Sequence, residues 1–294
     1  MSDSKQTLKD LKPTKEFFIG IDSDGCAFDS MEVKHKECFC PNVVKHFHFA
    51  GVSKYARETW DFVNLYGRSR GCNRFNALIY LSEWLMKRSE IKARNWPVPD
   101  FSALRQWVAS ESKLGNPALE AVVKKAGNVE LATVLAWSKD VNKSVEEIVH
   151  GVPPFPGLLE TLERAQSKAD MIVVSQTPVE ALEREWEEHN IDRFVRFIAG
   201  QEHGTKTEHL AMAAKGKYPS DKILMLGDAY SDYKAAASNN ALFFPILPGD
   251  EESSWARLRD EGLDKFFNGQ FAGDYQAGLL KELADALPET PAWA

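Results

Sequence analysis

Cysteine is scarce in this chain. Of 294 residues only Cys26, Cys38, Cys40 and Cys72 are cysteines, all in the first quarter, and that distribution is no disulfide framework. Long apolar runs are also missing: no stretch reaches the length of a membrane span, and the opening MSDSKQTLKDLKPTKE has no signal-peptide core. These absences predict a cytoplasmic protein with no membrane partner and a short solvated tail over residues 1–15. Nor is there an excess of positive charge. The net charge of -7 provides no general attraction for nucleic acid, so an anionic substrate would have to be held by local cations or a metal. Repeats and low-complexity tracts are absent. What remains is the composition of a soluble globular protein, 44% hydrophobic and 27% charged, long enough for two domains.

The most informative stretch is FFIGIDSDGCAFDS, from Phe17 to Ser30. Phe17 to Ile21 reads as a strand buried on both faces, as in the middle of a parallel sheet. It stops on Asp22 and Asp24, at the carboxyl end where such sheets place their chemistry. Two carboxylates this close need a cation between them or a shared proton. Gly25 permits a sharp turn. Asp-Ser-Asp-Gly is also ordinary turn chemistry, so this segment alone leaves both readings open.

From 31 to 152 no comparable strand appears, and helical spacing takes over. Leu78, Leu81 and Leu85 mark a helix over 76–88, with others over 101–114, 119–125, 129–140 and 145–149. Val152-Pro-Pro-Phe-Pro-Gly157 closes the insert as a stiff connection. Beyond it strands and helices alternate: strands over 171–174, 195–199, 222–226 and 241–247, with helices between them and to 287. That alternation predicts a doubly wound parallel α/β sheet covered on both faces. The first strand belongs to it, giving a core of 16–30 and 153–294 and an inserted, mainly helical domain of 31–152.

The strand ends carry the chemistry. Ser175, Gln176 and Thr177 follow the second strand, where a hydroxyl and free backbone amides could hold a phosphate oxygen, or merely cap the next helix. Gly227-Asp228-Ala-Tyr-Ser-Asp232 follows a later strand and adds two carboxylates suited to Mg2+. Between them Thr205 and Glu208 have capping-box spacing around Lys206. A cation at a helix start opposes the dipole, so Lys206 asks for an anionic neighbour.

Asp22-x-Asp24-Gly-x-x-x-Asp29-Ser30, then Ser175, Lys206 and Gly227-Asp228-x-x-x-Asp232, in this order, resembles the haloacid dehalogenase superfamily of hydrolases. The resemblance covers about 17–29 and 156–248. It implies a Rossmann-like core in which Asp22 attacks phosphorus to form an aspartyl-phosphate while Asp24 protonates the leaving oxygen and then activates water. It further implies Mg2+ at Asp22, the Asp24 carbonyl and Asp228, supported by Asp232, with Ser175 and Lys206 on the phosphoryl oxygens. Members that displace halide dispense with a general acid at the position of Asp24, so a small phosphorylated metabolite is the implied substrate. A phosphonatase or phosphomutase is the alternative, the former needing a Schiff-base lysine such as Lys36, Lys45 or Lys54. A non-catalytic phosphate-binding protein is the third reading. Cys26 and Gln176 stand where Thr and Asn are usual.

The insert resembles the family's C1 cap, a helical lid. Its glycine-hinged segment Tyr66 to Arg74 offers Arg68, Arg70 and Arg74 to a carboxylate or second phosphate, or else forms a solvated basic turn. His35, Cys38, Cys40, His46 and His48 also crowd together, although their spacing fits no standard zinc site.

Overall fold

The computed structural model describes residues 2–294. The described chain packs as two units. One runs to Met31 and resumes at Gly151–Leu287; the other comprises Glu32–His150 with Pro288–Ala294.

The first unit is built on five parallel strands, β1 (Phe17–Ile21), β2 (Ala169–Val174), β3 (Ile198–Ala199), β4 (Ile223–Gly227) and β5 (Leu242–Pro245). Their order is β3-β2-β1-β4-β5. Every residue of β1 and β2 is buried, as helices on both faces of a parallel sheet require. Successive side chains alternate faces. Phe17, Ile19 and Ile21 enter one core with Met171, Trp186, Leu224 and Leu258, while Phe18 enters the other with Ile172, Leu210, Met225 and Phe243. Burying each such side chain stabilises the fold by about 1.5–3 kcal/mol.

Chain order reverses at β1, which has β2 on one side and β4 on the other. Ile21 lies opposite Val173 and Leu226, so all three strands end level. The crevice outside those ends is where such a sheet binds ligands. Gly20 brings one wall close: a Cβ there would stand 2.9 Å from Leu210 Cδ2 on the helix Lys206–Ala213. A side chain at this position would force the ends of Leu210, Val174 and Met225 to shift.

Two expectations need correction here. The tail predicted as solvated contains a helix, Ser2–Asp10, whose Leu8 is fully buried in the second core. Lys217 Nζ holds the carbonyls at and beyond its end, donating to Lys9 O at 2.6 Å and Leu11 O at 2.9 Å. One apolar residue among polar neighbours carried too little periodicity to reveal it. The strand expected over 195–199 is only two residues long, because Asp192–Phe194 forms a tight turn that buries Phe194. Backbone pairing nevertheless begins earlier, with Arg196 N on Met171 O at 2.8 Å.

The second unit is helical throughout its regular elements. Arg74–Lys87, Ser102–Ser110, Asn116–Ala126 and Val129–Ile148 are its longer helices after Ser53–Asp61. Val129–Ile148 runs unbroken where the sequence predicts two pieces. The polar break at Asn142 and Ser144 is absorbed by partners, Arg74 for the first and the Asp140 carbonyl for the second. Trp60 and Trp137 are fully buried at its centre, edge to face at 6.1 Å. Pro288–Ala294, expected in the core, belongs to this unit instead. Trp293 packs edge-on to Trp84 at 5.9 Å and lies under the Arg88 guanidinium at 4.2 Å. Among the described residues no helix is long and apolar enough to cross a membrane.

Candidate active site

Asp22 is the residue immediately beyond β1, and its N–H donates to Leu226 O of β4 at 3.0 Å, continuing the ladder by one step. This bond ties the first carboxylate to the strand that delivers Asp228. The chain then folds over itself: Ala27 N donates to Ser23 O at 2.8 Å, and Gly25 N to Phe28 O at 2.8 Å. Gly25 adopts φ of 76°, a conformation that favours glycine.

Asp22, Asp228 and Asp232 are buried, and one carboxylate oxygen from each lies within 4.8 Å of the others. Asp228 follows β4 and Asp232 occupies the first turn of the helix Tyr230–Ser238. Asp232 fixes that turn by accepting the Ala229 N–H at 3.0 Å. Gly227 makes room for it, since a Cβ there would meet Asp232 Cβ at 2.4 Å. Lys206 supplies the cation among them, with Nζ 2.6 Å from both Asp22 Oδ2 and Asp232 Oδ1.

The electrostatics follow from burial and count. Burial pushes the Asp22 carboxyl well above the usual carboxylate range; Lys206 opposes this, and Asp232 and Asp228 add to it. Asp232 is raised for the same reasons, burial first. Burial alone would lower Lys206, but Asp22, Asp232 and Asp228 outweigh it and hold the ammonium charged. One turn on, His209 is fully buried and neither ring nitrogen has a protein partner. Burial pulls its pKa down to about 4, so it stays neutral and adds no second cation beside Lys206. Three carboxylates against one ammonium leave an excess of acidic groups in a buried site. Hard oxygen donors carrying that excess fit Mg2+.

Asp24 stands apart from the cluster, half-buried, with both oxygens held by hydroxyls. Thr177 Oγ1 donates to Oδ2 at 2.7 Å and Ser30 Oγ donates to Oδ1. The sequence groups Thr177 with phosphate-binding or helix-capping residues, and in the structure its hydroxyl meets Asp24. Pro178 precedes the helix Val179–Glu188 with no side-chain cap, which leaves the Thr177 hydroxyl for Asp24. Ser175 Oγ accepts the Thr177 N–H at 3.2 Å. Gln176 Nε2 donates to Gly204 O at 2.8 Å, joining the loop after β2 to the one before Lys206. The amides expected to be free are only partly so, because Val179 N donates to Glu202 Oε2 at 3.0 Å.

Sequence reasoning missed the support under the first loop. Ser23 Oγ donates to Glu185 Oε2 at 3.1 Å and accepts from Trp186 Nε1 at 3.0 Å. The only signal was a polar residue between two aspartates, too weak to separate from turn chemistry. Cys26 is fully buried under the same loop; burial, then the nearby carboxylates, pushes its thiol up and leaves it unreactive.

The helical unit separates the residues that the sequence groups together. Arg68 pairs with Glu289 at 3.5 Å, and Arg70 Nη1 donates to Leu65 O at 2.9 Å. Arg74 opens the helix Arg74–Lys87. The cysteine and histidine cluster does not assemble. His35 Nδ1 accepts from Trp60, His46 meets Asp140, and among the described residues the three aspartates are the only group placed to hold a metal.

Residues 106–244 match the profile of a family described as haloacid dehalogenase-like hydrolase. The match takes in Ser175, Lys206, Asp228 and Asp232 but begins after Asp22 and Asp24. Among solved structures, the chain is similar to a candidate phosphoglycolate phosphatase from Lactobacillus delbrueckii subsp. bulgaricus, with 18% identity over 78% of this chain and 85% of that one and a TM-score of 0.45. A HAD-superfamily hydrolase of subfamily IA from Geobacter sulfurreducens PCA has 15% identity, coverage of 81% and 91%, and a TM-score of 0.40. A candidate haloacid dehalogenase-like hydrolase from Bacteroides fragilis has 15% identity, coverage of 82% and 93%, and a TM-score of 0.49. No curated protein matches the chain.

Proposed function

We propose that the chain is a haloacid dehalogenase-like hydrolase, the family whose profile residues 106–244 match, and that it acts as a Mg2+-dependent phosphatase that hydrolyses a small phosphorylated metabolite through an aspartyl-phosphate. The observation that carries this reading is the buried trio Asp22, Asp228 and Asp232, within 4.8 Å of one another, with the Lys206 ammonium on Asp22 and Asp232. Asp22, Asp228, Asp232 and the Asp24 carbonyl would hold the ion. When bound, Mg2+ supplies neutralisation of phosphate charge and alignment of the attack.

The side chains then have separable tasks. An Asp22 carboxylate oxygen attacks phosphorus, and the bond from phosphorus to the leaving oxygen breaks as Asp24 delivers a proton to that oxygen. Asp24, now ionised, takes a proton from a water that attacks the aspartyl-phosphate; phosphate leaves and the Asp22 carboxylate is restored. The hydroxyls of Thr177 and Ser30 fix Asp24 for both transfers. Ser175 accepts from the Thr177 amide and keeps its own proton for a phosphoryl oxygen. Lys206 spends two N–H groups on Asp22 and Asp232 and keeps a third for the same purpose. Gln176, on the loop after β2, is the remaining proposed substrate contact of this unit.

The presence of Asp24 favours phosphoryl transfer over halide displacement, which needs no leaving-group acid. The lysines count against a phosphonatase, because a Schiff base requires an amine whose pKa is lowered. Burial lowers Lys36, but its bonds to Glu32 and Tyr66 outweigh this and raise it overall. Lys45 pairs with Asp140 at 2.8 Å and Lys54 lies on the surface over Tyr55. A panel of phosphorylated metabolites assayed with Mg2+ tests the proposal: at least one should release phosphate, and EDTA should stop it. Absence of Mg2+-dependent release across a broad panel would sink it.

A further inference from the structure

Arg74 is a cation in an unfavourable place. It is the first residue of the fourteen-residue helix Arg74–Lys87, whose first turn contains no acid, so it stands at the positive end of the helix dipole. The helix Asn116–Ala126 begins beside it, since Asn73 Nδ2 donates to Leu114 O at 3.2 Å and Ser138 Oγ, itself an Arg74 partner, donates to Asn116 Oδ1 at 2.6 Å. Burial lowers the Arg74 pKa to about 10 with nothing opposing it. Its protein partners are all neutral: Nη1 donates to Ser138 O at 3.2 Å, Ser138 Oγ at 3.0 Å and Asn142 Oδ1 at 2.6 Å. The guanidinium plane is further fixed over the Phe39 ring at 4.9 Å.

This arrangement pins one edge of the guanidinium and leaves the other open. Among the described residues Arg74 forms no ion pair, and its Nε and Nη2 meet no protein acceptor. Those two nitrogens form the fork that pairs with two oxygens of one carboxylate or phosphate. Its neighbours contrast with it, Arg68 meeting Glu289 and Arg88 meeting Glu58 at 2.6 Å. We propose that the open edge of Arg74, with the two helix starts beside it, is an oxyanion-binding site of the helical unit that takes the carboxylate or phosphate of a small organic molecule. An anion there would neutralise the charge and satisfy both helix dipoles. This site stands independently of the phosphatase reading, because every residue forming it lies in the helical unit.

The side chain itself provides the readout. In the full-length protein the Arg74 Nε–H resonance, assigned by its absence from Arg74→Lys, is followed during titration with inorganic phosphate and separately with malonate. If Arg74→Lys does not fold, through-bond assignment of the wild type serves instead. The expected result is a saturable displacement of this resonance by at least one of the two anions, with no saturable response at the exposed Arg57 and Arg184. Displacement by phosphate alone identifies a phosphate site, and displacement by both identifies a general oxyanion site. An Arg74 resonance that stays fixed, or that drifts linearly with those of Arg57 and Arg184, overturns the proposal.

Discussion

Asp22→Asn will reduce phosphate release by about 10^3-fold or more, because an amide is a poor nucleophile toward phosphorus and Asp24, the other carboxylate after β1, is held by the Thr177 and Ser30 hydroxyls. The substitution keeps shape and volume, so β1 and its pairing with β2 and β4 should survive. Stability supplies the second half of the expectation. Asp22 is a buried carboxyl that Asp228 and Asp232 repel, and Lys206 keeps Asp232 as a partner when Asp22 is neutral. Without Mg2+ the variant should therefore melt no lower than the wild type, and its melting temperature should rise less on adding Mg2+. A variant that is inactive and also unfolded would leave nucleophile and scaffold entangled; retention of near-wild-type turnover would remove Asp22 from the mechanism.

Lys206→Met is expected to have the largest effect on stability. The ammonium sits 2.6 Å from two buried carboxylates, with Asp228 nearby, and methionine fills the space without the charge. Removing one partner of a buried ion pair costs about 3–5 kcal/mol, most of it from the charge left behind. Here two partners are left. Thermal unfolding in EDTA should show that loss, and Mg2+ should recover a substantial part of it by replacing the missing positive charge. If Mg2+ gives the variant and the wild type the same increment, the aspartates are not acting as one charged cluster. Catalysis should fall as well, since the remaining N–H of Lys206 is assigned to a phosphoryl oxygen.

Both predictions rest on residues that the sequence already singled out, and the reason is physical. A run that is apolar at every position and then stops on aspartate leaves little room for other readings of β1 or of β4. Lys206 was legible through a conflict: a cation at a helix start opposes the dipole, and the structure resolves the conflict with Asp22 and Asp232. Thr177 was not legible, because a hydroxyl before proline looks the same whether it caps a helix or reaches another loop. Its bond to Asp24 spans 153 positions, and no local pattern encodes that. The arginines show the same limit in the helical unit. Arg68, Arg70 and Arg74 are alike in sequence, and only their partners distinguish a guanidinium that meets Glu289 from one held by Ser138 and Asn142. Leu8 and Trp293 mark the two termini, where single anchoring side chains, rather than periodicity, decide which unit the chain joins.

The central claim is that Asp22 carries the phosphoryl group between two displacements, and acid-quenched mass spectrometry tests it most directly. Asp24→Asn removes the base that activates water, so the intermediate should decay slowly in this variant. After mixing with Mg2+ and a substrate bearing a reactive leaving group, the peptide containing Asp22 should carry a phosphoryl adduct, absent in Asp22→Asn and lost on mild alkaline treatment. A peptide that stays unmodified while the leaving group is released, or an adduct that maps to another residue, would contradict the account.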